Sequence, residues 1–205
     1  MPPIGLRFIE TTENLTAKSK WWGAPDLPEG CSYPCQDGAP LTFVCQIRCE
    51  DIFSYDRNSL LPKTGMLYFF AAIGEYLDGF EIESEHNGIG EWPEDAFRVL
   101  YSPDSQNLSP YEILWEDDNT PAYLPAEKIE FFDAQADNDG YRMLCRPFYD
   151  EIAECYPDSI ALLQIDESDR WKLRLYDCGM LCFMATPSDI AAKRWDKVKF
   201  YFHSF

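Results

Sequence analysis

Apolar residues fall in short runs separated by Pro-, Gly-, Asp- and Asn-rich breaks, and two of these runs are nearly the same: GMLYFFAA at 65–72 and GMLCFMAT at 179–186. Each follows an earlier apolar run ending in Gln-Ile, TFVCQI (42–47) and IALLQI (160–165). Setting Gln46 on Gln164 and Gly65 on Gly179 gives offsets of 118 and 114 residues, a difference the length of a loop change. The pattern predicts a duplicated pair of strands. Both strands of each pair are apolar at nearly every position, which predicts burial on both faces of the sheet. Gly65 and Gly179 open the second strands, where a backbone uses positive φ or needs room.

Further strands are predicted at IGLRFIE (4–10), FRVLYS (97–102), KIEFFDA (128–134), YRMLC (141–145) and KVKFYFHSF (197–205). WKLRLY (171–176) alternates with period 2 and predicts one more. Helix signals are few. Thr186 can cap a helix with Pro187 at its first position and Asp189 completing a capping box, and a second short helix is predicted within PFYDEIAECY (147–156) with Pro147 at its start. The expected fold is mainly β (α+β), an internally duplicated antiparallel or mixed sheet with few short helices. One compact domain is expected, built from related halves at about 1–75 and 141–205 with a middle segment at about 75–140.

Composition supports a folded chain: of 205 residues, 46% are hydrophobic and 16% aromatic, too apolar for disorder. No basic start with an apolar core opens the sequence, and no run approaches the roughly 18 apolar residues of a membrane span, so a soluble cytoplasmic protein is expected. Eight cysteines in a chain of this length, several inside apolar runs, predict reduced buried thiols. Cys45 and Cys49 along one strand would stand roughly 13 Å apart, too far for a disulfide or one zinc ion. Cys31 and Cys35, in the looped GCSYPCQDG, are the pair open to a disulfide or metal.

With these pieces aligned, the chain resembles the YwqG-like family of bacterial proteins. The resemblance rests on WWGAPDLPEGCSYP (21–34), GAPLTFVCQIRCEDI (38–52), LLPKTGMLYFF (60–70) and the closing ALLQIDESD and DCGMLCFMATPSDIAAKRWDKVKFYF. It covers both ends of the chain but not residues 75–140. It implies a largely β, duplicated, intracellular fold and carries no activity. Similar proteins encoded near secreted toxins suggest an immunity role by association.

The net charge is −19, and it is not spread evenly. Residues 75–139 hold eighteen acids against Arg98 and Lys128, a balance of −16. Trp92 and Trp115 lie inside acidic runs there, GEWPED and ILWEDDN. Aromatic anchors ringed by charge suit a partner of opposite sign; the same composition also fits a solvated acidic loop whose Trp residues turn into the core. The candidate interface is Glu83, Glu85, Trp92, Glu94, Asp95, Trp115, Glu116, Asp117 and Asp118, and the expected partner is a basic protein such as a nuclease-like toxin. Nucleic acid is not expected, since this surface repels phosphates; neither is a membrane partner.

No catalytic residue, cofactor or metal is expected. DAQADNDG (133–140) begins like a calcium loop, but an EF-hand frame puts Gln135 first and Arg146 twelfth, where a carboxylate is required. Only His86 and His203 are available for a nucleophilic triad, and no G-x-S-x-G or P-loop is present. His203 reads as a structural residue on the last strand, and His86 as part of an exposed loop. The alternative function is a hydrolase or small-ligand binder with its site in the cleft between the related halves.

Overall fold

The two apolar hairpins share one pairing register. In the computed structural model, which describes residues 2–77, 87–135 and 139–205, Thr42–Arg48 pairs antiparallel with Met66–Ala71, and Ile160–Asp166 with Met180–Ala185. Gln46 lies opposite Tyr68 and Gln164 opposite Cys182. Each first strand is bulged at the same place, between Phe43 and Cys45 and between Ala161 and Leu163. A bulge sets local twist and re-aims side chains, so its recurrence extends the likeness from sequence to geometry.

Among the described residues the strands in chain order are β1 (Ile4–Ile9), β2 (Lys20–Trp21), β3 (Asp26–Pro28), β4 (Cys35–Gln36), β5 (Ala39–Pro40), β6 (Thr42–Arg48), β7 (Met66–Ala71), β8 (Gly90–Glu91), β9 (Phe97–Ser102), β10 (Leu108–Pro110), β11 (Glu127–Asp133), β12 (Arg142–Cys145), β13 (Ile160–Asp166), β14 (Met180–Ala185) and β15 (Lys199–His203). Three short helices accompany them: α1 (Cys49–Ile52), α2 (Asp150–Cys155) and α3 (Pro187–Ala191). The fold is mainly β. Eleven strands make one antiparallel sheet in the order β8-β15-β14-β13-β12-β1-β11-β2-β6-β7-β9.

The shared register extends beyond the hairpins. Lys20 of β2 faces Gln46 as Arg142 of β12 faces Gln164. Gly5 of β1 faces Arg142 as Lys128 of β11 faces Lys20. The first strands are exchanged: β1 pairs with β12, β11 pairs with β2, and the two pair with each other from Ile4–Asp133 to Ile9–Lys128. Residues 75–139 therefore contribute β8, β9 and β11 to the main sheet.

Residues 92–96 join β8 to β9, the two ends of that order. Trp92 N–H donates to Phe200 O (2.9 Å) and Ala72 N–H to Ala96 O (2.8 Å), so this connection is tied to both ends and the sheet curls towards itself. Rings from opposite ends then meet inside it, Phe69 on Phe183 at 5.2 Å and Phe97 on Phe200 at 5.6 Å. The outer faces are covered as well. Cys145 and Ile152 pack on Met180, Cys182 and Met184, while Tyr33 meets Phe70 edge to face and Tyr68 donates to Asp26 O. Double-sided burial is what the continuous apolar runs of β7 and β14 express.

WKLRLY departs from expectation. Trp171, Leu173 and Leu175 are buried in alternation, but among the described residues the segment forms only isolated bridges, from Leu173 to Ser168 and Leu77. Positive φ at Lys172 (53°) and Tyr176 (64°) breaks the extended geometry a ladder requires. α2 begins at Asp150, three residues after Pro147. The last strand starts at Lys199 because Trp195–Lys197 forms a 3₁₀ turn.

α3 is capped as its sequence implies. Thr186 Oγ1 accepts from Asp189 N–H (3.1 Å) and donates to the Asp189 carboxylate (2.6 Å), which also accepts from Arg194 Nε (2.6 Å). Thr186 and then Arg194 hold the Asp189 carboxyl below its ordinary pKa. Thr186→Ala is expected to lower stability by about 1 kcal/mol, read from urea unfolding; a loss under about 0.3 kcal/mol would show that the cap is idle.

Candidate functional site

A buried polar network sits where β2 leaves the sheet. Trp22 takes φ 56° and Gly23 φ 79°, so the chain turns away after two paired residues. Gln46 closes the turn: its Nε2 donates to Lys18 O (2.9 Å) and Asp26 Oδ2 (2.6 Å), and its Oε1 accepts from Asp26 N–H (2.8 Å). Asp26 Oδ2 also accepts from Ala17 N–H (2.9 Å) and lies 2.8 Å from Lys20 Nζ, with both side chains buried. Burial pulls the Lys20 ammonium below its ordinary pKa, against the opposing pull of Asp26. The other half repeats the device. Gln164 Nε2 donates to Gly140 O (2.8 Å), its Oε1 accepts from Phe148 N–H (2.9 Å), and Leu144 takes φ 50°. There Phe148 stands in place of Asp26, and Arg142 reaches Gln164 Oε1 and Gln135 O at 3.4 Å each.

The turn frames a cavity of about 980 Å³. Trp22, Leu41, Phe43, Leu77 and Leu124 form apolar parts of its wall. Tyr33, its hydroxyl donating to Leu41 O (2.9 Å), meets Tyr111 at 5.1 Å. Burial raises the Tyr33 pKa, so the hydroxyl stays protonated at neutral pH. Tyr111 N–H donates to Pro25 O (2.8 Å), and Gly23 N–H donates to Leu124 O (2.9 Å), so both ends of segment 111–124 are pinned to the β2–β3 turn. A side chain at Gly23 would place its Cβ 2.6 Å from that of Ala126.

Segment 111–124 forms a small hairpin that overhangs this turn. Leu114 bridges Pro121, and Trp115 N–H donates to Thr120 O (2.9 Å). Asp118 accepts from both the N–H and the hydroxyl of Thr120, which lowers its carboxyl pKa, and Asn119 takes φ 56° at the tip. Trp115, Glu116, Asp117 and Asp118 all line the cavity; Trp115 is half-buried and the three acids are exposed. The site is thus a concave aromatic wall edged with carboxylates.

The other candidates lie elsewhere. Trp92 is 3% exposed, packed on Phe200 at 4.7 Å with its indole Nε1 donating to Gly88 O (2.8 Å), so it offers no ring to a partner. The physical reason is the sheet closure, which draws residues 92–96 across the interior aromatics. Glu94 and Asp95 are exposed on that connection, and Glu94 shares Lys199 with Glu91 at 3.5 and 3.4 Å. Glu83, Glu85 and His86 lie outside the described residues. His203 is 8% exposed and packed on Tyr149 at 4.5 Å.

All eight cysteines are free, Cys31 and Cys35 among them. Burial pushes Cys49 up to about 12 and Cys145 up to about 11, and raises Cys45 and Cys182 well above the ordinary thiol value. These four are protonated and poor nucleophiles. Among the described residues no cluster of three His, Cys, Asp or Glu side chains has metal-binding geometry, and no helix is long and apolar enough to cross a membrane.

Sequence reading singled out Trp115 to Asp118 but not Tyr33, Tyr111 or Tyr123, which share the cavity, nor Lys20, Asp26 and Arg142. The recurring Gln-Ile was the available signal for the network, since a polar side chain inside a two-face-buried strand must find partners. Comparison with curated proteins gives no match. The sequence profile described as "Domain of unknown function (DUF1963)" matches residues 19–155, which include the Lys20–Asp26–Gln46 network and every lining residue of the cavity. With two-thirds of its length matched, the chain belongs to the DUF1963 family.

Proposed function

We propose that this protein is a non-enzymatic binding module that captures a basic protein partner by seating a lysine or arginine side chain in the aromatic, acid-edged cavity. The observation that carries this reading is the convergence of Tyr33, Tyr111, Trp115 and Tyr123 with Glu116, Asp117 and Asp118 around one concavity. Aromatic faces attract a desolvated cation, and carboxylates at the edge steer it there. The charge balance of −16 over residues 75–139 supports the same sign of partner. The motif resemblance to YwqG-like proteins supports a cytoplasmic setting and an immunity role, in which the partner is a basic toxin domain.

The test is titration of the purified protein with a twenty-residue lysine homopolymer, followed by tryptophan fluorescence. Wild type is expected to bind with an affinity that falls as salt rises. Trp115→Ala is expected to weaken binding roughly thirtyfold, as loss of a central anchor does. Glu116→Gln with Asp117→Asn is expected to weaken it roughly tenfold. Unchanged affinity in both variants would remove the cavity from the reading. A second reading, a small-ligand binder, is favoured by the cavity volume, which lies near the upper end of small-molecule sites at about 300–1,000 Å³.

A further inference from the structure

A second cavity, of about 850 Å³, adjoins the first at Leu124, a residue that lines both. It is built where the exchanged strands meet: Glu10, Thr11 and Thr12 follow β1, Leu124 to Glu127 lead into β11, and Arg170 and Trp171 follow β13. Glu127, 6% exposed, accepts from Trp171 Nε1 (2.8 Å), and its other oxygen lies 2.9 Å from Arg170. Arg170 also reaches Glu10 at 3.0 Å. Arg170 is the one cation among the described lining residues of the two cavities, set against Glu10, Glu127, Glu116, Asp117 and Asp118.

Trp22 lines the first cavity and Trp171 the second, and their rings meet edge to face at 5.7 Å. Resting on the proposed reading of the first cavity, we infer that the occupant is an extended basic polypeptide segment that crosses Leu124 and engages both cavities, rather than a single cationic side chain. Its basic residues face Glu116 and Asp117 at one end and Glu10 at the other. Joining the two contacts in one chain makes the second an intramolecular event and raises affinity without new chemistry.

The experiment compares two probes, a fluorescein-labelled hexapeptide of alternating lysine and alanine and the single residue N-acetyl-lysine methylamide, on wild type and on Thr12→Trp. Thr12 is exposed, so the larger ring fills the second cavity without disturbing the core. The hexapeptide is expected to bind wild type at least about a hundredfold tighter than the single residue and to lose about tenfold on Thr12→Trp, whose binding of the single residue stays unchanged. A circular dichroism melt of the variant matching wild type separates occlusion from unfolding. Hexapeptide binding that depends on Asp117 but ignores Thr12→Trp would overturn the inference and leave the first cavity's role standing. Absence of binding by either probe would overturn both.

Discussion

Asp26→Ala is expected to destabilise the protein by about 3–5 kcal/mol, because it leaves the buried Lys20 ammonium without its carboxylate. Asp26 and Lys20 are 0% and 5% exposed, and one carboxylate oxygen gathers Ala17 N–H, Lys20 Nζ and Gln46 Nε2. Removing it unpairs three donors at once. The double variant Lys20→Met with Asp26→Leu is expected to recover the part of the loss due to the stranded ammonium, since apolar groups of similar volume often replace a buried ion pair at little cost, while Ala17 N–H and Gln46 Nε2 still lack this acceptor. The other half already carries a Phe at the matching position, where Phe148 N–H still reaches the glutamine. Urea unfolding of both variants provides the check. A loss below about 1 kcal/mol in Asp26→Ala would mean that Lys20 finds water when its partner is gone.

Gly179→Ala is expected to be at least as damaging, costing about 3 kcal/mol or more and showing as loss of soluble folded protein. Its Cβ would stand 1.9 Å from Leu175 O and 2.8 Å from Leu175 C, backbone atoms that cannot swing aside. Gly65, at the same place in the other hairpin, meets Ser102 O at 2.3 Å and has φ 97° as well. The shared glycine thus answers a shared need for room at the start of β7 and β14, while only Gly65 adds a left-handed backbone. Gly38→Ala is the control: φ is 86° with nothing within 4 Å, so only the backbone cost of about 1–2 kcal/mol applies. Similar melting temperatures for Gly179→Ala and Gly38→Ala would refute the close-approach argument.

These sites show how far the chain could be read without coordinates. β9 was delimited to the residue and β1 to within one, since short apolar runs between turn formers leave little choice of state. WKLRLY reads as a strand and forms none because period 2 reports which side chains are buried, not whether the backbone has a neighbour to bond. The hydrophilic acids flanking Trp92 imply a surface ring, but they face outward from a connection whose ring points in. The cavity drew on the β2–β3 turn, the loop before β4 and the 111–124 hairpin. No local pattern encodes the meeting of Tyr33 with Tyr111, which are 78 positions apart.

The sequence alone determined the elements and their likeness: double-sided apolar strands, the paired Gln-Ile and glycine positions, and the capped α3, all set by local sterics and hydrophobic periodicity. Tertiary structure decided the exchange of β1 and β11, the burial of Trp92, and the joining of two cavities at Leu124. Those depend on contacts between distant segments, whose free energy comes from surfaces that exist only once the sheet has curled.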